Sequence, residues 1–163
     1  MSSVKKAPRK RRTPTRNVVF HDIARFRSQL LDRLLRPHGL TMSQAWVLAH
    51  LFWEDGLTQA EIAKRMEVGA VTLGGLVDRL EARGVVERRD DPGDRRAKRV
   101  YLTDDAEALL RVMNQCTAEI DRAAFAGLSA EEIDAMNAGL SKVRENLLAG
   151  LTVNAAGSDA DAA

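Results

Sequence analysis

Apolar residues recur along most of this chain at steps of three and four, the spacing that lines one face of an α-helix. Val19, Ile23, Phe26, Leu30 and Leu34 make one such stripe from Asn17 onward, and Pro37 and Gly39 stop it. Thr41, with Gln44 three residues on, has the spacing of a capping box and opens a second helix. Ala45, Leu48, Ala49 and Phe52 form its inner face, and Gly56 closes it. Thr58 and Glu61 repeat the box at the head of a short third helix. There Ile62, Ala63 and Met66 point inward, and Lys64 and Arg65 outward. A turn from Glu67 to Gly69 leads into a fourth helix over Gly69 to Arg83. Its Leu73, Leu76, Val77 and Leu80 face a core, while Val71, Thr72, Gly74, Gly75, Asp78 and Arg79 occupy the opposite side. Gly84 is suited to the left-handed stop behind it.

The period then shortens to two. Val85 to Arg89 and Lys98 to Leu102 read as short strands around Asp91-Pro92-Gly93-Asp94, with Val100 and Leu102 alternating against Arg99 and Tyr101. Helical spacing returns after Thr103, read as a cap, with Ala106, Leu109, Met113, Cys116 and Ile120, and ends at Gly127. Ser129 and Glu132 form a third box, followed by Ile133, Met136, Leu140, Val143 and Leu147. From Thr152 the pattern is lost.

These elements predict a mainly α protein with a small β-hairpin wing: a winged helix-turn-helix joined to a helical dimerisation region. The expected organisation is a disordered basic arm over 1–16, dimerisation helices over 17–40 and 103–151, the winged helix-turn-helix over 41–102, and a disordered tail over 152–163. The long, narrow apolar stripes of the first and last two helices suit packing against other helices in a homodimer.

Charge sharpens this picture. Residues 1–16 hold seven Lys or Arg and no acid; removing them from the net +2 leaves the remainder at −5. The positive charge of that remainder is concentrated at Arg88, Arg89, Arg95, Arg96, Lys98 and Arg99, six basic residues within twelve positions. A polyanion reads where charge lies more than its sum. No apolar run approaches the about 18 residues that cross a bilayer. No apolar segment of signal-peptide type follows the basic start, so the expected location is cytoplasmic. The one cysteine, Cys116, excludes an internal disulfide and a cysteine-based metal site, and is read as a packing residue. His21, His38 and His50 are isolated; without a phosphate loop or a nucleophile and base at workable spacing, no enzyme, metal or cofactor is expected.

Double-stranded DNA offers a groove that admits one helix between rows of phosphate. The helix at Gly69 can approach it N-terminus first, with Thr72 and Thr58 at helix starts meeting phosphate. Val71, Gly74 and Gly75 offer no bidentate donor to a base, so direct readout is weak. Arg79 is expected as a phosphate clamp, and Arg65, Arg88 and Lys98 are expected among the DNA-binding residues. Arg95 and Arg96 are expected to reach an adjacent minor groove, with Asp94 orienting Arg96. Trp46 and His50, with Trp53 nearby, are candidates for lining a pocket that takes an aromatic carboxylate.

The sequence DRRAKRVYLT at Asp94 to Thr103, together with LVDRLEARGVVER at Leu76 to Arg88, resembles the MarR/SlyA transcriptional regulators, over roughly Asp22 to Leu147. The resemblance implies an obligate homodimer through interlocked first and last helices, and a recognition helix at Gly69 to Arg83. It also implies a wing arginine at Arg96 in the minor groove, and repression or relief of silencing tuned by a small aromatic acid. Gly75 departs from SlyA-like proteins, which carry an arginine there. Two rival readings remain open at this point: a DNA-architectural or counter-silencing protein without a ligand switch, and a winged helix used for protein contacts.

Overall fold

The computed structural model describes residues 16–94 and 97–158, with side chains over 18–94 and 97–151. The basic arm through residue 15, both wing-tip residues Arg95 and Arg96, and the last five residues therefore lie outside the described residues. Helix α1 spans Arg16–Leu35, and a 3-10 turn follows at Arg36–His38. Next come α2 (Met42–Trp53), strand β1 (Leu57–Thr58), α3 (Gln59–Arg65) and α4 (Ala70–Glu81). Strands β2 (Val86–Asp90) and β3 (Lys98–Leu102) precede α5 (Ala106–Ala124) and α6 (Ala130–Ser158). The backbone forms two compact units, Met1–Ile120 and Asp121–Ala163.

Local chemistry sets the helix starts as the sequence predicts. Thr41 and Thr58 are N-caps with complete capping boxes: each side chain accepts from the N–H three residues on, and Gln44 and Glu61 reach back to the cap N–H. Ser129 and Glu132 exchange the same pair of bonds ahead of α6. Thr103 behaves differently. Its hydroxyl donates to the Gly84 carbonyl at 2.5 Å, tying the end of β3 to the turn after α4, and its carbonyl accepts from Ala106.

The wing is a three-stranded antiparallel sheet in the order β1-β3-β2, not the two-stranded hairpin expected. β1 is two residues long, with Leu57 opposite Val100, and no periodicity shows in two residues. Gly56 makes this junction possible. Its φ is +73°, and a Cβ there would stand 2.6 Å from the Tyr101 ring. Its N–H donates to the Val100 carbonyl, and the Gly56 carbonyl accepts from the Arg99 guanidinium at 2.8 Å.

The core of the first unit gathers Leu35, Leu40, Val47, Leu48, Leu51, Ile62, Leu73, Val77, Leu80 and Val100. All four inward residues expected on α4 are buried. On α2 the inner face is Ala45, Val47, Leu48 and Leu51, while Phe52 is exposed, because the helix is covered on two sides and its apolar stripe is rotated from the expected one. Ala106, Cys116 and Ile120 of α5 are buried in this same core, with Leu109 and Met113 packed against it. That apolar seam, expected to meet a second subunit, serves its own. Burial, with the Glu119 charge second, pushes the Cys116 thiol up, as suits a packing residue.

Helix α1 does the reverse. Leu31 and Leu35 anchor its end, while Val19, Phe20, Ile23, Phe26 and Leu30 stay exposed. In the second unit Leu140, Val143, Leu147 and Leu151 of α6 are likewise exposed. The α6 backbone stays helical to Ser158, past the Thr152 at which the sequence pattern ends; helical backbone does not require an apolar stripe, and Ala155 and Ala156 favour it.

Candidate nucleic-acid interface

Helix α4 has two contrasting sides. Leu73 is fully buried, whereas Val71, two residues earlier, is 92% exposed. Thr72, Asp78 and Arg79 are exposed with Val71, and Gly74 and Gly75 are half-buried beside them. The N-cap is Gly69, which supplies no side-chain bond to the first turn. A helix start without such a cap presents backbone N–H groups and a partial positive charge to an anion.

Gly74 and Gly75 are not demanded by packing. A Cβ on Gly74 would meet nothing within 4 Å, and one on Gly75 only the Arg79 guanidinium at 3.7 Å. Gly74→Ala is therefore expected to stabilise the fold by about 1 kcal/mol, read as a higher thermal midpoint. If DNA comes close to this face, the same change lowers DNA affinity. A lower midpoint would show that Gly74 serves the fold after all.

Thr58 sits at the start of α3, but its donors are engaged. Both its N–H and its hydroxyl donate to Glu61 Oε2 at 2.8 Å. Those bonds, the backbone one first, hold the Glu61 carboxyl below its usual range. Lys98 pairs with Asp90 at the exposed edge of the wing. Arg89 pairs with Glu87, and its guanidinium lies 4.4 Å over the Tyr101 ring.

The wing turn is organised by Asp91, which the sequence reading noted only as part of a turn. Its Oδ1 accepts from the Gly93 N–H at 2.7 Å and the Asp94 N–H at 3.2 Å, and its Oδ2 pairs with Arg99 at 2.5 Å. The Gly93 bond first, with those from Asp94 and Arg99, holds this carboxyl below the usual range. Since Arg99 also donates to the Gly56 carbonyl, the start of the wing turn at Asp91 to Asp94 is braced back to the α2–β1 junction. A groove of about 510 Å³ between the start of α3 and this turn is lined by Thr58, Gln59, Ala60, Asp91, Asp94, Ala97 and Lys98.

Arg88, expected among the DNA-binding residues, has its donors engaged within the protein. It is half-buried and bonded to protein acceptors on α3 and α4, because β2 packs against α4 and the long Arg88 side chain reaches Gln59 at the start of α3. Arg65 also has unexpected company. It pairs with Glu54 at 2.5 Å and lines a cleft of about 340 Å³ with Trp46, His50, Met66 and Glu67. The Trp46 and His50 rings are 6.2 Å apart. Burial, and then the Arg65 charge, hold His50 below its ordinary value, so the imidazole is neutral near pH 7. Glu67 on this rim has a positive φ of 53° and belongs to the turn between α3 and α4. The third aromatic candidate, Trp53, lies apart from it in a small apolar cleft with Phe52, Leu110 and Met113. No group of His, Cys, Asp or Glu among the described residues could hold a metal ion, and no described helix is long and apolar enough to cross a membrane.

Comparison with known proteins places this geometry. A model described as the MarR family matches residues 38–97, which hold α2 to α4 with β1 and β2 and end just before β3. The fold is similar to wild-type MarR from E. coli in its apo form, at 26% identity and a TM-score of 0.75, covering 82% of this chain and 98% of that one. It is also similar to S. aureus MepR in a complex with DNA, at 28% identity and a TM-score of 0.69, covering 83% and 99%. A further MepR structure, described as a transcription regulator of the multidrug efflux pump MepA, matches at 29% identity and a TM-score of 0.68, covering 82% and 98%.

Proposed function

From the premise that this chain is a winged-helix DNA-binding transcriptional regulator of the MarR family, we propose that it acts in the cytoplasm as a homodimeric repressor whose grip on DNA is tuned by a small aromatic acid. The observation that carries the DNA reading is α4: a helix buried on one side, open on the other, and uncapped at the end that would meet phosphate. Val71, Gly74 and Gly75 would face the major groove, with Thr72, Arg79 and Lys98 at the backbone and Arg95 and Arg96 at the minor groove. Two copies related by a twofold axis require a pseudo-palindromic site with half-sites about one helical turn apart. The exposed apolar faces of α1 and α6 support the dimer, since a lone subunit would leave both in water.

The ligand would occupy the cleft at Trp46 and His50. There an aromatic ring meets indole, and a carboxylate takes the place of Glu54 at Arg65. That cleft borders the α3–α4 turn, so a ligand that prefers one placement of the turn shifts the placement of α4. Its effect is limited by its differential affinity for the two placements. Footprinting on the DNA flanking the protein's own gene tests the reading. One protected palindrome, released by millimolar salicylate, is expected. Uniform protection of all fragments would favour an architectural role, and protection indifferent to salicylate would remove the ligand.

A further inference from the structure

The Arg88 guanidinium is held on both sides of the helix-turn-helix. Its Nε donates to Gln59 Oε1, on the first residue of α3, at 3.1 Å. Its Nη1 donates to Glu81 on α4. Its Nη2 donates to Asp78 Oδ1 at 2.7 Å and toward the Gly74 carbonyl at 3.4 Å, both on α4. The Arg88 N–H completes the set by donating to Glu81 Oε1 at 3.1 Å. The side chain is 20% exposed, against 60% for its neighbour Arg89. A planar fork with fixed donor directions, bonded to two helices at once, restrains the angle between them in a way a single ammonium cannot.

We propose that Arg88 is the positioning residue of the reading helix rather than a contact to DNA. It sets the rotation of α4 against α3 from the base of the wing. One of its acceptors, Asp78, lies on the exposed face of α4. Gln59, Asp78 and Glu81 thereby become part of the DNA-binding apparatus without touching DNA. The inference rests on the DNA-binding reading above, and deepens it by separating the basic residues of the wing into two kinds. One kind faces phosphate and adds to affinity on any sequence. The other aims the helix and adds only to affinity on the right one.

The test uses full-length protein and two fluorescent duplexes: one selected by the wild type from a random-sequence pool, and a scrambled version of it. Arg88→Met is expected to lower affinity for the selected duplex about 10-fold or more, the scale of a lost base-pair match. Affinity for the scrambled duplex should stay within about two-fold, and the slope of log affinity against log salt should not change. Arg88→Lys should not restore the loss. Glu81→Gln, which keeps the cation but loosens its hold, should lower selected-duplex affinity in the same way, and it reads the proposal even if Arg88→Met does not fold. Equal losses on both duplexes, with a slope smaller by about one, would make Arg88 a phosphate contact and overturn the proposal. So would a Glu81→Gln protein that binds the selected duplex as well as the wild type or better. A wild type that enriches no duplex from the pool refutes the DNA reading itself.

Discussion

Replacing both Ile23 and Phe26 with aspartate is expected to yield a monomer in sedimentation equilibrium and to lower operator affinity by about 100-fold or more, the scale at which two linked half-sites exceed one. These side chains are 59% and 49% exposed, and with Val19, Phe20 and Leu30 they form an apolar strip along α1 that the subunit core does not use. An aromatic side chain buries about 150–250 Å² when covered, at about 25 cal/mol per Å² of apolar surface, so a strip of this composition is a strong reason to pair. Two carboxylates inserted into such a contact would be desolvated without partners. The subunit itself should stay folded, because Leu31 and Leu35, which anchor α1 to the core, are untouched. A double variant that still sediments as a dimer would show that the α1 strip is not the seam.

Leu73→Ala and Val71→Ala, only two residues apart on α4, should have opposite signatures. Leu73 is 0% exposed and packed in the core, and its truncation is expected to cost about 2–5 kcal/mol. That is a large share of the about 5–15 kcal/mol of a typical domain, and urea titration would show a lower midpoint at unchanged slope. Val71, at 92% exposed, has almost no packing to lose, so Val71→Ala should leave the midpoint within about 0.5 kcal/mol. Its loss should appear only in affinity for the selected DNA, where a thymine methyl is its natural contact. A stability loss at Val71, or none at Leu73, would mean that α4 is turned the other way.

The elements that the sequence disclosed well are those written in local chemistry. Leu73, Leu76, Val77 and Leu80 repeat at helical spacing, and all are buried. Thr41, Thr58 and Ser129 each find their capping partner three residues ahead, so no knowledge of the fold was needed to place them. Where the reading and the structure part, the deciding partner is distant. The α5 seam has the spacing of an intermolecular contact but is claimed by the core of its own unit, because spacing says that a face is apolar without saying what covers it. Thr103 has the identity of a cap, yet its hydroxyl is taken by the Gly84 carbonyl, 19 residues back.

The same division runs through the candidate interface. Arg88, Arg89 and Lys98 look alike in a basic run, but Arg88 meets Gln59 from 29 residues away, and the other two pair along the surface of the wing. Arg65, expected with the DNA-binding residues, lies beside Trp46 and His50, where it pairs with Glu54 just after α2.

By itself, then, the sequence determined where helices start, which side of α4 is apolar, that a basic hairpin follows it, and that Gly74 and Gly75 leave a bare outer face. Each of these depends on residues within a few positions of one another, where periodicity and side-chain bonds to the backbone act. Only the tertiary structure decided that a two-residue strand completes the wing, that Asp91 and Arg99 brace its turn, and that one arginine of a basic cluster is held by Gln59, Asp78, Glu81 and Gly74. Those outcomes depend on strands and helices meeting after long returns of the chain, and a charge run carries no record of which of its members will find an acceptor when they do.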